Sequence, residues 1–150
     1  MDLTDRKCVV IGAGIGGLAA ALALARRGAD VVVLEQAEAI TEVGAGLQIS
    51  PNGAVVLAAL GLEPALDAAS VHGAAVSLRD YRAGGEVLRL DLVRLAAGQV
   101  YRFVHRADLI DLLAEAVRAA GVRIRLLQRV TGVEPGPPAA VTTGCGDRVT

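Results

Sequence analysis

Near its N-terminus the chain reads Val9-Val10-Ile11-Gly12-Ala13-Gly14-Ile15-Gly16-Gly17, and Val31-Val32-Val33-Leu34-Glu35 follows. A β-branched run, a glycine turn, an alanine- and leucine-rich stretch to Arg27 and a second valine run predict strand, turn, helix and strand. The spacing Gly12-x-Gly14-x-x-Gly17 gives each glycine a physical task. Gly12 permits the tight turn out of the first strand. Gly14 has no Cβ, so a phosphate can reach the backbone, and Gly17 lets the helix pack closely on the sheet. The helix N-terminus then offers free N–H groups and a partial positive charge. A dinucleotide is the ligand that suits this pattern. Glu35 ends the second strand about twenty residues beyond the turn, where a carboxylate accepts from ribose hydroxyls and repels a 2′-phosphate, which argues against NADP at this site. Gly28 is a stop for the helix, with Arg26 and Arg27 in its last turn opposing the dipole.

The apolar stretch Cys8 to Ala25 also approaches the length of a membrane span. Glycines interrupt it, a valine run closing on Glu35 follows at once, and a signal h-region would be shorter, so neither a span nor a leader is expected. A formal net charge of −1 gives no sign of nucleic acid or an anionic membrane surface as partner. Tyr81, Tyr101 and Phe103 are the only aromatic residues, which weakens any base-stacking platform. Cys8 and Cys145 are far apart, as suits a reducing, cytoplasmic setting. His72 and His105 show no metal-ligand spacing, so no metal is expected, and there is no G-x-S-x-G for serine hydrolysis.

Beyond the βαβ unit, residues 36–49 read as a loop rich in glycine and small residues. Ser50-Pro51 opens a helix to about Leu60, with serine as N-cap and Gly61 as its stop. A short helix is expected over Glu63–Ala69. From Val71 to Phe103 the period changes: Ala75–Arg79 and Val87–Leu92 alternate as half-exposed strands around an Ala83-Gly84-Gly85 turn. Arg106–Ala120 is amphipathic, with Leu109, Leu112, Leu113, Ala116, Val117 and Ala120 on one face. Strands are expected at Val122–Leu127, Arg129–Glu134, Ala139–Thr143 and Arg148–Thr150. The sequence stops in what reads as an unpaired strand, so a longer parent protein is expected.

Four segments together resemble the FAD-dependent aromatic hydroxylases, the group A flavoprotein monooxygenases. They are Gly12–Gly17, Leu34-Glu35-Gln36, Val43-Gly44-Ala45-Gly46-Leu47-Gln48-Ile49-Ser50-Pro51-Asn52 and His105-Arg106-Ala107-Asp108-Leu109. The resemblance implies an α/β fold: a Rossmann-like FAD-binding βαβ domain, incomplete, from 1–70 and 104–150, and the first strands of an antiparallel substrate-domain sheet from 71–103. It implies FAD along Gly12, Gly14, Ile15, Gly16 and Gly17, the adenosine ribose on Glu35 with Gln36 beside it, and the flavin ring near Gly46, Leu47 and Gln48. Arg106 would meet the ribitol or pyrophosphate, and the Val130 backbone would lie near the adenine. NADH or NADPH would reduce the flavin, and O2 with a phenolic or aromatic acid would be the co-substrates. The family's later Asp-Gly and Gly-Asp motifs are absent, so half of the FAD site and most of the substrate pocket are expected elsewhere in the parent.

Some residues keep two readings. Gln48 is either a flavin or substrate contact or a loop-stabilising amide, and it cannot replace the basic histidine that some relatives carry there. Arg106 opens a helix, where a cation is slightly unfavourable, which favours a role facing an anionic cofactor over a solvated surface position. His105 reads as structural, and Tyr101 and Phe103 read as sheet core rather than substrate contacts. An NAD-dependent dehydrogenase and a non-catalytic dinucleotide-binding module are the alternatives. The antiparallel stretch counts against the first, because a dinucleotide fold continues with parallel units.

Overall fold

The computed structural model describes residues 2–41 and 44–150, so Glu42 and Val43 of the glycine-rich segment lie outside the described residues. The elements run β1 (Lys7–Ile11), α1 (Ile15–Ala25), β2 (Asp30–Leu34), β3 (Gly46–Ile49), α2 (Pro51–Ala59), α3 (Glu63–Ala69), β4 (Ser70–His72), β5 (Ala75–Arg79), β6 (Glu86–Asp91), β7 (Arg102–His105), α4 (Arg106–Ala119), β8 (Arg123–Arg125), β9 (Val130–Glu134), β10 (Ala140–Thr143) and β11 (Arg148–Val149). The fold is mixed α/β with several small sheets. It divides into two compact units, Met1–Val43 with Leu109–Thr150, and Gly44–Asp108. No helix among the described residues is long and apolar enough to cross a membrane.

In the first unit β1 pairs in parallel with β2, Cys8 opposite Val31 and Ile11 opposite Leu34, and β8 pairs in parallel on the other edge of β2. Parallel neighbours need a crossover, and α1 supplies it between β1 and β2. Leu18 and Leu22 of α1 and Val33 and Leu34 of β2 are fully buried. Burial along β2 accounts for its unbroken apolar run, since a parallel strand is covered on both faces. The strand from Val122 to Leu127 shortens to β8. An antiparallel sheet, β11-β10-β9, follows.

The helix α4 buries Leu109, Ile110, Leu113, Ala114 and Val117. The expected face is thus rotated: Ile110 and Ala114 go inside, while Leu112 and Ala116 are half-buried and Ala120 is exposed. Apolar residues flank the stripe on both sides, so periodicity alone could not choose the edge. The Gly121 N–H meets the Arg118 carbonyl at 3.0 Å and the Val122 N–H reaches back to that of Val117 at 3.2 Å, closing the helix. Gly28 and Gly61 close α1 and α2 in the same pattern. Because α1 ends at Ala25, Arg26 stands at the cap and Arg27 beyond it, not in the last turn.

The second unit holds an antiparallel sheet in the order β3-β7-β4. Gly46–Ile49, expected within a loop, forms β3 because β7 supplies its hydrogen-bond partners: Gly46 opposes His105 and Gln48 opposes Phe103. That partner lies more than fifty residues away and leaves no local signal. Ser50 stands at the α2 N-cap, but its hydroxyl donates to Asn52 Oδ1 instead of accepting from the helix backbone.

On β7 the structure reverses the expected burial. Tyr101, just before the strand, and Phe103 are half-buried, whereas Arg102 is only 3 % exposed. The Arg102 guanidinium Nη1 donates to Asp67 Oδ1 on α3 and to His72 Nε2 at 2.9 Å on β4. A charge can go inside only with such partners. The same His72 Nε2 lies 3.3 Å from Asp67 Oδ1, so the three side chains converge. Beside the sheet in sequence, β5 and β6 form a ribbon with Val76 opposite Leu90 and Leu78 opposite Leu88. Leu78, Leu88 and Leu90 are exposed on one face, an amphipathic ribbon with its apolar side open.

Candidate functional site

The glycine turn joins β1 to α1. Gly12 has φ +94°, a left-handed conformation that a side chain would strain, and its N–H donates to the Leu34 carbonyl at 2.8 Å. Gly14 is the N-cap of α1, with no side-chain cap and no acidic residue in the first turn. The first backbone bond of the helix runs from the Leu18 N–H to the Gly14 carbonyl, so the earlier N–H groups face out of the helix end. A Cβ placed on Gly12, Gly14 or Gly16 would meet no atom within 4 Å. One placed on Gly17 would fall far inside contact with the Gly12 carbonyl oxygen, 3.1 Å from its carbon and 3.5 Å from Val10 Cγ1. The turn is therefore open where a ligand would come and closed where helix meets strand.

Glu35 fastens this turn to the end of β2. One carboxylate oxygen accepts the Ala13 N–H at 2.7 Å and the other accepts the Ala37 N–H at 2.8 Å. These N–H donors, Ala13 foremost, hold its carboxyl below the ordinary glutamate value of 4.5, against a smaller opposing effect of partial burial. Each oxygen keeps a lone pair for a hydroxyl donor. The Gln128 N–H donates to the Glu35 carbonyl at 2.8 Å and the Leu127 N–H to that of Ala37 at 3.0 Å, with Leu127 at φ +58°. These bonds bring the segment leading to Val130 beside Glu35 and Gln36. Sequence reasoning missed this staple, since nothing local marks Leu127 for a left-handed turn.

A depressed folded-state pKa means that ionised Glu35 stabilises the fold above its unfolded value and that this contribution is lost as pH falls through the folded value. Glu35→Gln is expected to lower the midpoint of thermal unfolding at pH 7, because a carboxamide has one acceptor oxygen for two N–H groups. The gap between variant and wild type should narrow steadily below pH about 4.5. A gap that stays constant from pH 7 down to acid unfolding would contradict the clamp.

The second unit carries the other expected residues. Gly46, Leu47 and Gln48 lie on β3, and Arg106 begins α4 with its N–H on the Ala45 carbonyl at 2.9 Å. The Gln48 Oε1 accepts the Tyr101 hydroxyl at 2.7 Å. The His105 ring packs on Gly44 so closely that a Cβ there would overlap Nε2 and Cε1. The alternation of β7 puts Tyr101, Phe103 and His105 on the side that bears Gln48, and Arg102 and Val104 on the buried side. Among the described residues no cluster of histidine, cysteine and carboxylates could hold a metal ion.

An uncapped helix end, a floor of glycines open to 4 Å and a carboxylate with spare acceptor capacity fit one kind of group: a nucleotide whose phosphates approach the backbone and whose sugar offers hydroxyls. The βαβ unit with this turn belongs to the class of anion cradles that hold dinucleotides.

Within that class the chain belongs to the FAD-binding domain family, which matches residues 5–143. It is 38 % identical over 123 residues to 3-amino-4-hydroxybenzoate 2-monooxygenase of Streptomyces cremeus, covering 80 % of this chain and 31 % of that protein. It is 38 % identical over 133 residues to 3-hydroxybenzoate 6-hydroxylase 1 of Aquipseudomonas alcaligenes, covering 86 % of this chain and 34 % of that protein. Among solved structures, 2-methyl-3-hydroxypyridine-5-carboxylic acid oxygenase (a Y270A mutant) superposes with a TM-score of 0.84 at 27 % identity, covering 96 % of this chain and 37 % of that one. The chain thus spans about a third of the length of the curated relatives it matches.

Proposed function

We propose that this chain is the N-terminal FAD-binding portion of a flavin monooxygenase that uses NADH or NADPH and O2 to hydroxylate a phenolic or aromatic acid in the cytoplasm. The observation that carries the reading is the glycine cradle with its Glu35 clamp, set in a chain whose relatives include hydroxybenzoate monooxygenases. In this reading β1, α1, β2 and β8 are a Rossmann-like core. Residues 1–70 and 104–150 serve the cofactor, and 71–103 begin a substrate-domain sheet, for which the open apolar side of the β5–β6 ribbon is the support. Gly12, Gly14, Ile15, Gly16 and Gly17 receive the pyrophosphate. Glu35 takes the adenosine ribose beside Gln36, and the Val130 backbone adjoins the adenine. Gly46, Leu47 and Gln48 line the flavin, and Arg106 answers the negative charge of the cofactor.

Bound FAD would supply the redox chemistry with O2; the protein binds it, orients it and excludes water. The test is the visible spectrum of the purified parent protein, before and after heat release of its ligand. Flavin bands, with FAD identified in the released fraction, are the expected result. They should be followed by hydroxybenzoate-stimulated oxidation of NADH or NADPH. A colourless protein that takes up no added FAD, yet binds NADH saturably, would replace this reading with an NAD-dependent one.

A further inference from the structure

On the face of the β3-β7-β4 sheet opposite Arg102, two of the three aromatic residues of the chain stand next to one amide. Tyr101 and Phe103 have ring centroids 5.7 Å apart with planes tilted by 57°. Phe103 is directly across the ladder from Gln48, and the Tyr101 hydroxyl lies 2.7 Å from Gln48 Oε1. Gly46 and His105 continue the same face. Gln48 is exposed, and among the described residues its Nε2 has no partner. With its oxygen accepting from the phenol, the carboxamide keeps both N–H donors of Nε2 to offer.

We propose that Tyr101 is a positioning residue that holds the Gln48 carboxamide with its oxygen inward, so that this face presents an N–H donor to an anionic oxygen, carboxylate or phenolate, of the aromatic substrate. The proposal rests on the monooxygenase reading and deepens it. It resolves the two readings of Gln48 into one: the amide is stabilised by Tyr101 so that it can read the substrate. It also explains how a residue that cannot act as a base takes part in recognition. It favours the ionised form of the ligand by donation and leaves proton removal to another group. A glutamate at the same place would keep the Tyr101 bond but turn an oxygen anion outward, toward like charge.

The experiment uses the flavin-loaded parent protein and a panel of probes: 2-, 3- and 4-hydroxybenzoate, 6-hydroxynicotinate and 3-hydroxybenzamide. Binding is followed by perturbation of the flavin spectrum, with FAD content measured beside it. Tyr101→Phe keeps the ring and removes only the hydroxyl. It should weaken the best-bound acid about fivefold to tenfold at unchanged FAD content. Gln48→Met should weaken it by at least as much, and adding Tyr101→Phe to Gln48→Met should change nothing further. Gln48→Glu should lose the acids while retaining 3-hydroxybenzamide. Independent, additive losses from Tyr101→Phe and Gln48→Met would overturn the proposal, as would full acid affinity in Gln48→Glu. A wild-type protein that holds FAD but binds none of the acids would overturn it too. A wild-type protein that takes up no FAD would bring down the underlying reading first, and this one with it.

Discussion

Alanine at Gly17 is expected to break the β1–α1 junction, whereas alanine at Gly14 is expected to spare the fold and weaken FAD binding. The two positions are three residues apart in one turn, and the difference follows from what a methyl group meets. At Gly17 it overlaps the carbonyl oxygen of Gly12, a backbone atom that cannot rotate away. Helix and strand must separate, and overpacking of this kind costs about 3 kcal/mol. For a chain of this size that corresponds to a fall of roughly 6–12 °C in the unfolding midpoint. At Gly14 the methyl meets nothing within 4 Å, and the backbone is in an ordinary extended conformation with φ −74°. The fold should lose no more than about 1 kcal/mol from the poorer N-cap. The same methyl stands where phosphate oxygens would approach the N-terminal N–H groups of α1. Losing charge-assisted bonds there should weaken FAD about 10- to 100-fold. Thermal unfolding and FAD titration on both variants check the pair. Equal destabilisation by the two, or unchanged FAD affinity in Gly14→Ala, would show that the turn is only a structural corner.

This asymmetry was legible in the amino-acid sequence, because each glycine of the turn answers to a local rule. The same holds for α3, for the β5–β6 hairpin and for the glycine stops of α1, α2 and α4, where signal and structure lie within a few residues of each other. What escaped reading depends on distant partners. Gly46–Ile49 becomes a strand only because Arg102–His105 lies alongside it. Leu127 adopts a left-handed turn only because Ala37 and Glu35 offer carbonyls. The bond of Glu35 to Ala13, twenty-two residues away, was likewise outside local reach: strand position marked the residue, but not the N–H group it clamps. On β7 the alternation was visible, yet hydrophobicity assigned the inner face to the aromatic residues. The structure gives that face to Arg102, since a buried cation is tolerated where a carboxylate and an imidazole converge, and no pattern within the strand announces either.

The Arg102 cluster should therefore be the most fragile feature of the second unit. Its side chain is only 4 % exposed, while that of Asp67 is 49 % exposed, so the arginine depends on its partner more than the aspartate does. Asp67→Ala leaves a buried guanidinium beside the His72 ring with no carboxylate counter-charge. Removing one member of a fully buried pair costs about 3–5 kcal/mol. Solvent around Asp67 reduces this to about 2–4 kcal/mol. Arg102→Met should cost less, because it removes the charge that needs a partner and fills the space with an apolar chain of similar length. If the double variant Asp67→Ala with Arg102→Met is markedly more stable than Asp67→Ala alone, the penalty lies in the orphaned cation and not in lost packing. Denaturant unfolding of the three variants measures this coupling directly. Near-additive losses would instead mean that Arg102 reaches water when Asp67 is gone. Because β7 leads from Tyr101 to His105 and pairs with the strand of Gln48, the same cation that anchors the inner face fixes the register of the outer one. Asp67→Ala should accordingly loosen β7 and the Gln48–Tyr101 bond at denaturant concentrations well below global unfolding.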